Sequence, residues 1–264
     1  IHITKGITPI NQEIKQKAKE KLDSLVKPIG SLARLEDIAA QIAGIQGTIN
    51  VDIRKKVTLI MASDNGVWEE GVSPAPQAVT ALQTLNFFKG ITGVCVLSRQ
   101  AGADIKVVDI GINQDIEHPN LISKKIRPGT SNIAKGCAMT REEAIRAIEV
   151  GIDMVKQCKE EGYDLIGTGE MGIGNTTTSS AVVISLTGCS LDEAVGKGAG
   201  LTKEQFEHKK SIIQQALRIN KPNGDDPIDV LAKVGGFDLA GLVGCFLGAA
   251  YYKVPIVIDG VISM

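Results

Sequence analysis

Four short apolar runs constrain the fold of this 264-residue chain more than any other feature. They are residues 57–62 (VTLIMA), 105–110 (IKVVDI), 163–167 (YDLIG) and 254–259 (VPIVID). Each is rich in β-branched residues and nearly continuous in apolar character. Strands buried on both faces of a parallel sheet read this way, whereas half-exposed strands alternate. Between the runs the apolar period becomes helical. Thr140-Arg-Glu-Glu143 is a capping box, followed by Ala144, Ile145, Ile148, Ile152 and Val155 at helical spacing. Thr202-Lys-Glu-Gln205 is a second, opening a helix with Phe206, Ile212, Ile213 and Leu217. Residues 10–24, 31–43, 77–88 and 237–252 also carry helical patterns. Strands alternating with helices predict an α/β fold with a doubly wound, mostly parallel sheet. Residues 1–50 are helical in pattern only and read as a small N-terminal subdomain or dimerisation arm, leaving 51–264 for the α/β domain. Residues 113–135, with Pro119, Pro128 and Gly129, read as a long surface or lid loop.

Charge and composition exclude several functions. Lys+Arg number 29 against 30 Asp+Glu, so no basic excess exists to hold a polyanion. Aromatics at 3% leave no stacking platform for single strands. Cys95, Cys137, Cys158, Cys189 and Cys245 show neither CxxC nor Cys/His spacing, which disfavours a zinc site and a secreted disulfide framework. They read as buried packing thiols in a reduced, cytoplasmic protein. Residues 237–252 form the most apolar stretch, but it contains Asp238 and is too short to span a membrane. With Ile1 first and Met264 directly after a strand-like run, both ends look clipped.

In doubly wound sheets, ligands bind beyond the carboxyl ends of the strands. Here the runs are followed by Ser63-Asp64-Asn65-Gly66, by Gly111-Ile112-Asn113, by residues 168–178 (TGEMGIGNTTT) and by Gly260-Val261-Ile262-Ser263. All four are polar or glycine-rich, which points to one shared site. Residues 167–172 match GxGxxG, yet the β-like residues 181–186 follow too soon for a crossover helix, and no strand-end acid lies about 20 residues on. A dinucleotide-dependent dehydrogenase therefore fits poorly, and the lack of GK[ST] excludes a Walker A loop. Simpler physics remains. The turn Gly172-Ile173-Gly174 leads to a helix capped by Asn175 or Thr176, with Thr177 and Thr178 adding hydroxyls. That is a seat for one phosphate, or else a glycine-rich turn without a ligand. The cluster Gly196-Lys-Gly198-Ala-Gly200 suits a phosphate or ribose, with Lys209 on the next helix as a point charge; the alternative is a tight turn beside a solvated lysine. Glu170 either stabilises a cationic transition state, takes a proton, or orients its loop. Asp64 either contacts ligand or forms an Asx-turn before Gly66. His208 is assigned no chemistry.

Residues 22–43 (LDSLVKPIGSLARLEDIAAQIA), 64–72 (DNGVWEEGV), 92–102 (TGVCVLSRQAG), 167–177 (GTGEMGIGNTT), 229–237 (DVLAKVGGF) and 259–263 (DGVIS) carry a resemblance. In these stretches the chain resembles the nicotinate-nucleotide:dimethylbenzimidazole phosphoribosyltransferase family of cobalamin lower-ligand assembly. The resemblance implies transfer of phosphoribose from nicotinate mononucleotide to a lower-ligand base, giving an α-ribotide and nicotinate, with no metal or organic cofactor. It implies phosphate on residues 172–177 with Lys209, Glu170 near the ribose C1′, and an acceptor pocket of Pro76, Gln83, Met171 and Asp64. Three departures stand out. Asn65 replaces a usual histidine, and Ala75 precedes Pro76 where a hydroxyl residue is common. The family also runs on for roughly another quarter of its length, which carries the glutamate usually assigned as the base for the acceptor. Some members are heteromers of two related chains that use phenolic acceptors. A homodimer, or a heterodimer with a paralogue, is the implied assembly, and a non-catalytic nucleotide-binding subunit is the alternative role.

Overall fold

The four apolar runs become four of the five strands in one sheet. A computed structural model describes residues 2–198 and 200–264; Ile1, and Ala199 within the second glycine cluster, lie outside it. The strands are β1 (Lys56–Ser63), β2 (Ala103–Gly111), β3 (Leu121–Ser123), β4 (Leu165–Met171) and β5 (Ile256–Val257). All pair in parallel, in the order β3-β2-β1-β4-β5. The predicted parallel α/β class is therefore the one observed, with three local corrections. β4 continues through Gly167 and Gly169 to Met171, so Glu170 is a strand residue and not a loop residue. β5 is only two residues long; it follows Pro255, which has no N–H for a ladder. The supposed lid contains β3, whose three residues pair with Val107, Val108 and Asp109, and then turns inward to bury Thr130, Asn132, Ile133 and Ala134.

The helices are α1 (Gln12–Asp23), α2 (Arg34–Gln46), α3 (Val79–Phe88), α4 (Gly93–Ala101), α5 (Arg141–Glu160), α6 (Asn175–Thr187), α7 (Leu191–Ala194), α8 (Lys203–Asn220), α9 (Pro227–Val234), α10 (Phe237–Tyr252) and α11 (Gly260–Ser263). Both expected capping boxes form, and a third joins Ser190 to Glu193. The β-like residues 181–186 are the second half of α6. α10 lies between the sheet and α5. Its Gly241 abuts Met61 of β1 and Ile110 of β2, while Gly244 faces Ile148 of α5 so closely that a Cβ there would overlap the Ile148 carbonyl. This backbone-to-backbone contact carries the first turn of α10 to the carboxyl end of the sheet.

α1 and α2 form an antiparallel pair with a small alanine core of Ala18, Ala40 and Ala43. The residues before them belong elsewhere: Ile3 packs on the main core and Lys253 donates to the Thr8 carbonyl. Cys95, Cys158 and Cys245 are buried as expected, but Cys137 is exposed and Cys189 half-buried. Among the described residues no helix is long and apolar enough to cross a membrane.

Candidate active site

The chain leaves β1 for β2 on one side, while β4 pairs on the other, so strand order reverses between β1 and β4. Such a switch point opens a crevice beyond the carboxyl ends, where ligands bind in sheets of this kind. Two turns meet there: Ser63-Asp64-Asn65-Gly66 after β1, and Gly172-Ile173-Gly174 after β4. Among the described residues, three buried side-chain polar atoms have no hydrogen-bond partner. They are Asp64 Oδ1, Asn65 Nδ2 and Thr177 Oγ1, all in or directly after these two turns. Buried polar atoms are normally paired, and here Thr80 lies beside Asp64 and Asp238 beside Asn65, so the crevice gathers polar groups whose bonding capacity is not filled.

Gly167 and Gly169 lie within β4, so the GxGxxG match does not form the strand-to-helix turn that a dinucleotide requires. The helix after it is capped differently from expectation. Gly174 is the N-cap, with φ +93, a backbone conformation that a Cβ would oppose, and no side chain caps the helix. Asn175 is the first helical residue, and its side-chain amide is committed elsewhere. Its Nδ2 donates to Glu170 Oε2 and, at 3.1 Å, to Asp238 Oδ2. Several backbone donors of this turn are engaged too. Ile173 N–H donates to the Thr80 hydroxyl, Asn175 N–H to the Gly172 carbonyl and Thr177 N–H to the Gly174 carbonyl. The turn therefore offers an anion side chains more than a backbone nest.

Those side chains are Thr176 and Lys209. Lys209 is fully buried, not solvated, and its Nζ donates to Thr176 Oγ1 at 2.8 Å and to the Gly196 carbonyl at 3.3 Å. Burial alone lowers its pKa to about 8. Gly198, with φ +54, lies against the same pair: a Cβ there would be 3.1 Å from Thr176 Oγ1 and 3.4 Å from Lys209 Nζ. The second glycine cluster thus closes on the Lys209 ammonium where it meets Thr176, in the first turn of α6, the end of a helix that favours an anion.

Glu170 lies at the end of β4, half-buried, and desolvation raises its carboxyl above the usual range. Across Asn175 stands Asp238, fully buried in the first turn of α10 and pushed up to about 7 by burial and by the Glu170 charge. Asp238 and Thr80 are missed by sequence reasoning, while Thr178, expected as a hydroxyl of the seat, spends that hydroxyl on the Asn175 carbonyl at 3.0 Å. Asp238 had a signal: it is the lone acid of an apolar helix, directly after Gly235-Gly236-Phe237.

On the other side of the crevice, Met171 packs with Ala62, Ala81, Ile112 and Ile116. Asp64 is not an Asx-turn residue. Its Oδ2 accepts from Asn113 N–H at 2.8 Å, and Gly66 N–H donates to the Thr130 hydroxyl instead. Gln83 is half-buried on α3, where its Oε1 accepts from Asn86; Pro76 is exposed just before that helix. His208, left without chemistry, bonds to the Glu70 carbonyl.

A parallel sheet with a buried ammonium and a carboxylate pair at its switch point is the equipment of an α/β enzyme acting on a small anionic ligand. A family model described as Phosphoribosyltransferase matches residues 7–264, and the chain belongs to that family. It is 57% identical over 262 residues to the nicotinate-nucleotide--dimethylbenzimidazole phosphoribosyltransferase of Clostridium acetobutylicum, spanning 99% of this chain and 74% of that protein. It is 59% identical over 258 residues to the Ruminiclostridium cellulolyticum protein of the same name, spanning 98% and 73%. The crystal structure of CobT from Thermus thermophilus superimposes with a TM-score of 0.89 at 35% identity, over 95% of this chain and 75% of that one. The resemblance read from the residues is borne out.

Proposed function

We propose that this chain transfers the phosphoribosyl group of nicotinate mononucleotide to a lower-ligand base of the 5,6-dimethylbenzimidazole type, giving an α-ribotide and nicotinate. The observation that carries the site is a buried cation and a desolvated carboxylate on either side of one turn: Lys209 on Thr176, and Glu170 on Asn175. The phosphate replaces the weak partners of Lys209, lying on Thr176 and Thr177 with Gly172, Ile173, Gly174 and Gly198 around it. Glu170 then faces the ribose C1′. As the C1′–nitrogen bond to nicotinate breaks, its electron pair leaves with nicotinate and positive charge develops at C1′, where a fixed carboxylate lowers the barrier. The unprotonated ring nitrogen of the acceptor attacks from the opposite face, its lone pair forms the new bond as C1′ inverts, and the proton on the other ring nitrogen is lost to water. Met171, Gln83 and Pro76 hold the flat acceptor, with Asp64 available to a polar edge. We assign the reaction to the cytoplasm on the cysteine spacing above.

Calorimetry with nicotinate mononucleotide tests the phosphate seat. Lys209→Met is expected to weaken binding about 30-fold or more, the ~2–5 kcal/mol typical of removing one partner of a buried charge pair. Unchanged affinity would remove the anchor of this reading.

A further inference from the structure

Asp238 is buried at the centre of the site and has no task in the reaction as written. A buried carboxylate is costly unless it is paired, and its partners here are neutral donors. Leu239 N–H donates to Oδ1 at 3.0 Å, and Asn175 Nδ2 donates to Oδ2 at 3.1 Å. The backbone around it is bare: a Cβ on Gly172 would be 2.5 Å from the Ser63 carbonyl and 2.7 Å from Asp238 Oδ2, and one on Gly236 would overlap Asp238 Oδ1.

Its role follows from Asn175. The amide nitrogen carries two hydrogens in one plane and spends one on each carboxylate, Glu170 and Asp238. Without Asp238, the amide is free to turn over and present its oxygen to Glu170, which would repel that side chain. With a carboxylate on each side, only one amide orientation is acceptable. We propose that Asp238 is a positioning residue for the transfer reaction: through the Asn175 amide it holds the Glu170 carboxylate facing the ribose C1′. This rests on the reading of Glu170 given above. An electrostatic effect accompanies it. The charged groups facing Glu170 are Asp238 on α10 and Asp259 after β5. Asn65 after β1 and the Leu239 N–H contribute only dipoles, and Lys209 on α8 is engaged with Thr176. The repulsion falls on Asp238, pushed up to about 7 by burial and by a Glu170 that is already ionised, so Glu170 loses its proton while Asp238 still holds its own.

The test is a kinetic cycle of the purified chain with Glu170→Gln, Asp238→Asn and both, read as nicotinate release at saturating substrates. Nucleotide affinity and melting temperature are followed alongside. Asparagine at 238 places an NH2 donor where one carboxylate oxygen stood, facing either the Leu239 N–H or the Asn175 amide donor. Glu170→Gln is expected to lower kcat ~10²–10³-fold. Asp238→Asn is expected to lower it ~10–100-fold, as for groups that orient a reacting ligand, with nucleotide affinity unchanged. The double variant is expected to be no slower than Glu170→Gln alone, because Asp238 acts only through that carboxylate. The acid limb of the kcat profile, set by Glu170, is expected to stay in place in Asp238→Asn while its height falls. Asn175→Ala should reproduce the loss and keeps the question answerable if Asp238→Asn fails to fold. Independent, multiplying losses in the double variant, or a nucleotide affinity that falls together with kcat, would overturn the positioning role and leave Asp238 a structural residue. Wild-type kcat in Glu170→Gln would overturn the assignment of Glu170 itself, a separate outcome.

Discussion

Lys209 sits two turns into α8 with its ammonium against a hydroxyl and a carbonyl, and desolvation is what displaces its pKa. The sign of that displacement makes it testable. With a pKa near 8 in the folded chain and the ordinary 10.5 when unfolded, the unfolded state binds more protons between these values. This group therefore adds stability as pH rises from about 8 to 10. Nucleotide binding works in the opposite direction. A phosphate beside Nζ favours the ammonium, so above pH 8 the chain must take up a proton to bind. Affinity is expected to fall by up to about tenfold per pH unit there, and calorimetric heats should depend on the buffer's ionisation enthalpy. A flat affinity from pH 7 to 10 would show that the phosphate lies away from Lys209. Lys209 was readable in the sequence only as one of two possibilities, since three lysines near the start of α8 look alike until the fold turns one inward. Asp238 was less readable still: one acid in an apolar run says nothing about which carboxylate it will face.

At the scale of elements, the strands were readable because their apolar runs are unbroken, and α10 because its pattern is complete from Phe237 to Tyr252. Their ends were not. β4 runs through two glycines because β1 pairs with it as far as Ala62 opposite Met171, a tertiary constraint absent from local propensity. α4 and α9 are short helices whose apolar positions are too few to establish a period. α5 and α10 meet backbone to backbone, where Gly151, Gly241 and Gly244 leave no room for a Cβ. Gly244→Ala is expected to cost ~1–3 kcal/mol, because the obstructing atoms are backbone and cannot rotate away. That corresponds to a fall in Tm of roughly 2–4 °C per kcal/mol for a chain of this size. Gly136→Ala, where a Cβ meets nothing within 4 Å, is the control and should stay within about 0.5 kcal/mol. Equal melting temperatures for the two variants would contradict the packing argument. Because α10 carries Asp238, Gly244→Ala is also the remote variant with the clearest route to the active site.

At the scale of the molecule, the α1–α2 pair is the part that cannot account for itself. Its own core is three alanines with Ile14 packed on them. Ile14, Leu22 and Ile42 are half-buried, but Leu25, Leu32, Leu35 and Ile38 remain exposed, with Val26 and Ile29 beside them. The sequence implies as much, since Ile10, Ile14, Leu22, Leu25, Leu32, Leu35, Ile38 and Ile42 are more large apolar residues than a two-helix arm buries alone. Six exposed large apolar residues between 25 and 38 are what an interface looks like before its partner is added. We propose that it packs on a second copy of this chain or on a paralogue. A two-fold arrangement would let each arm cover the other molecule, with the same patch used twice. Light scattering of the purified chain at micromolar concentration is expected to give twice the chain mass. Leu35→Asp together with Ile38→Asp should yield a monomer, because two charges on the apolar face cannot be buried without partners. A wild-type monomer at that concentration would exclude the homodimer and leave the paralogue as the partner to be sought by co-expression. A dimer that survives both substitutions would move the interface off this helix pair. The exposed Leu82, Ile91, Val96 and Leu97 on and around α3 and α4 would then be the next surface to test.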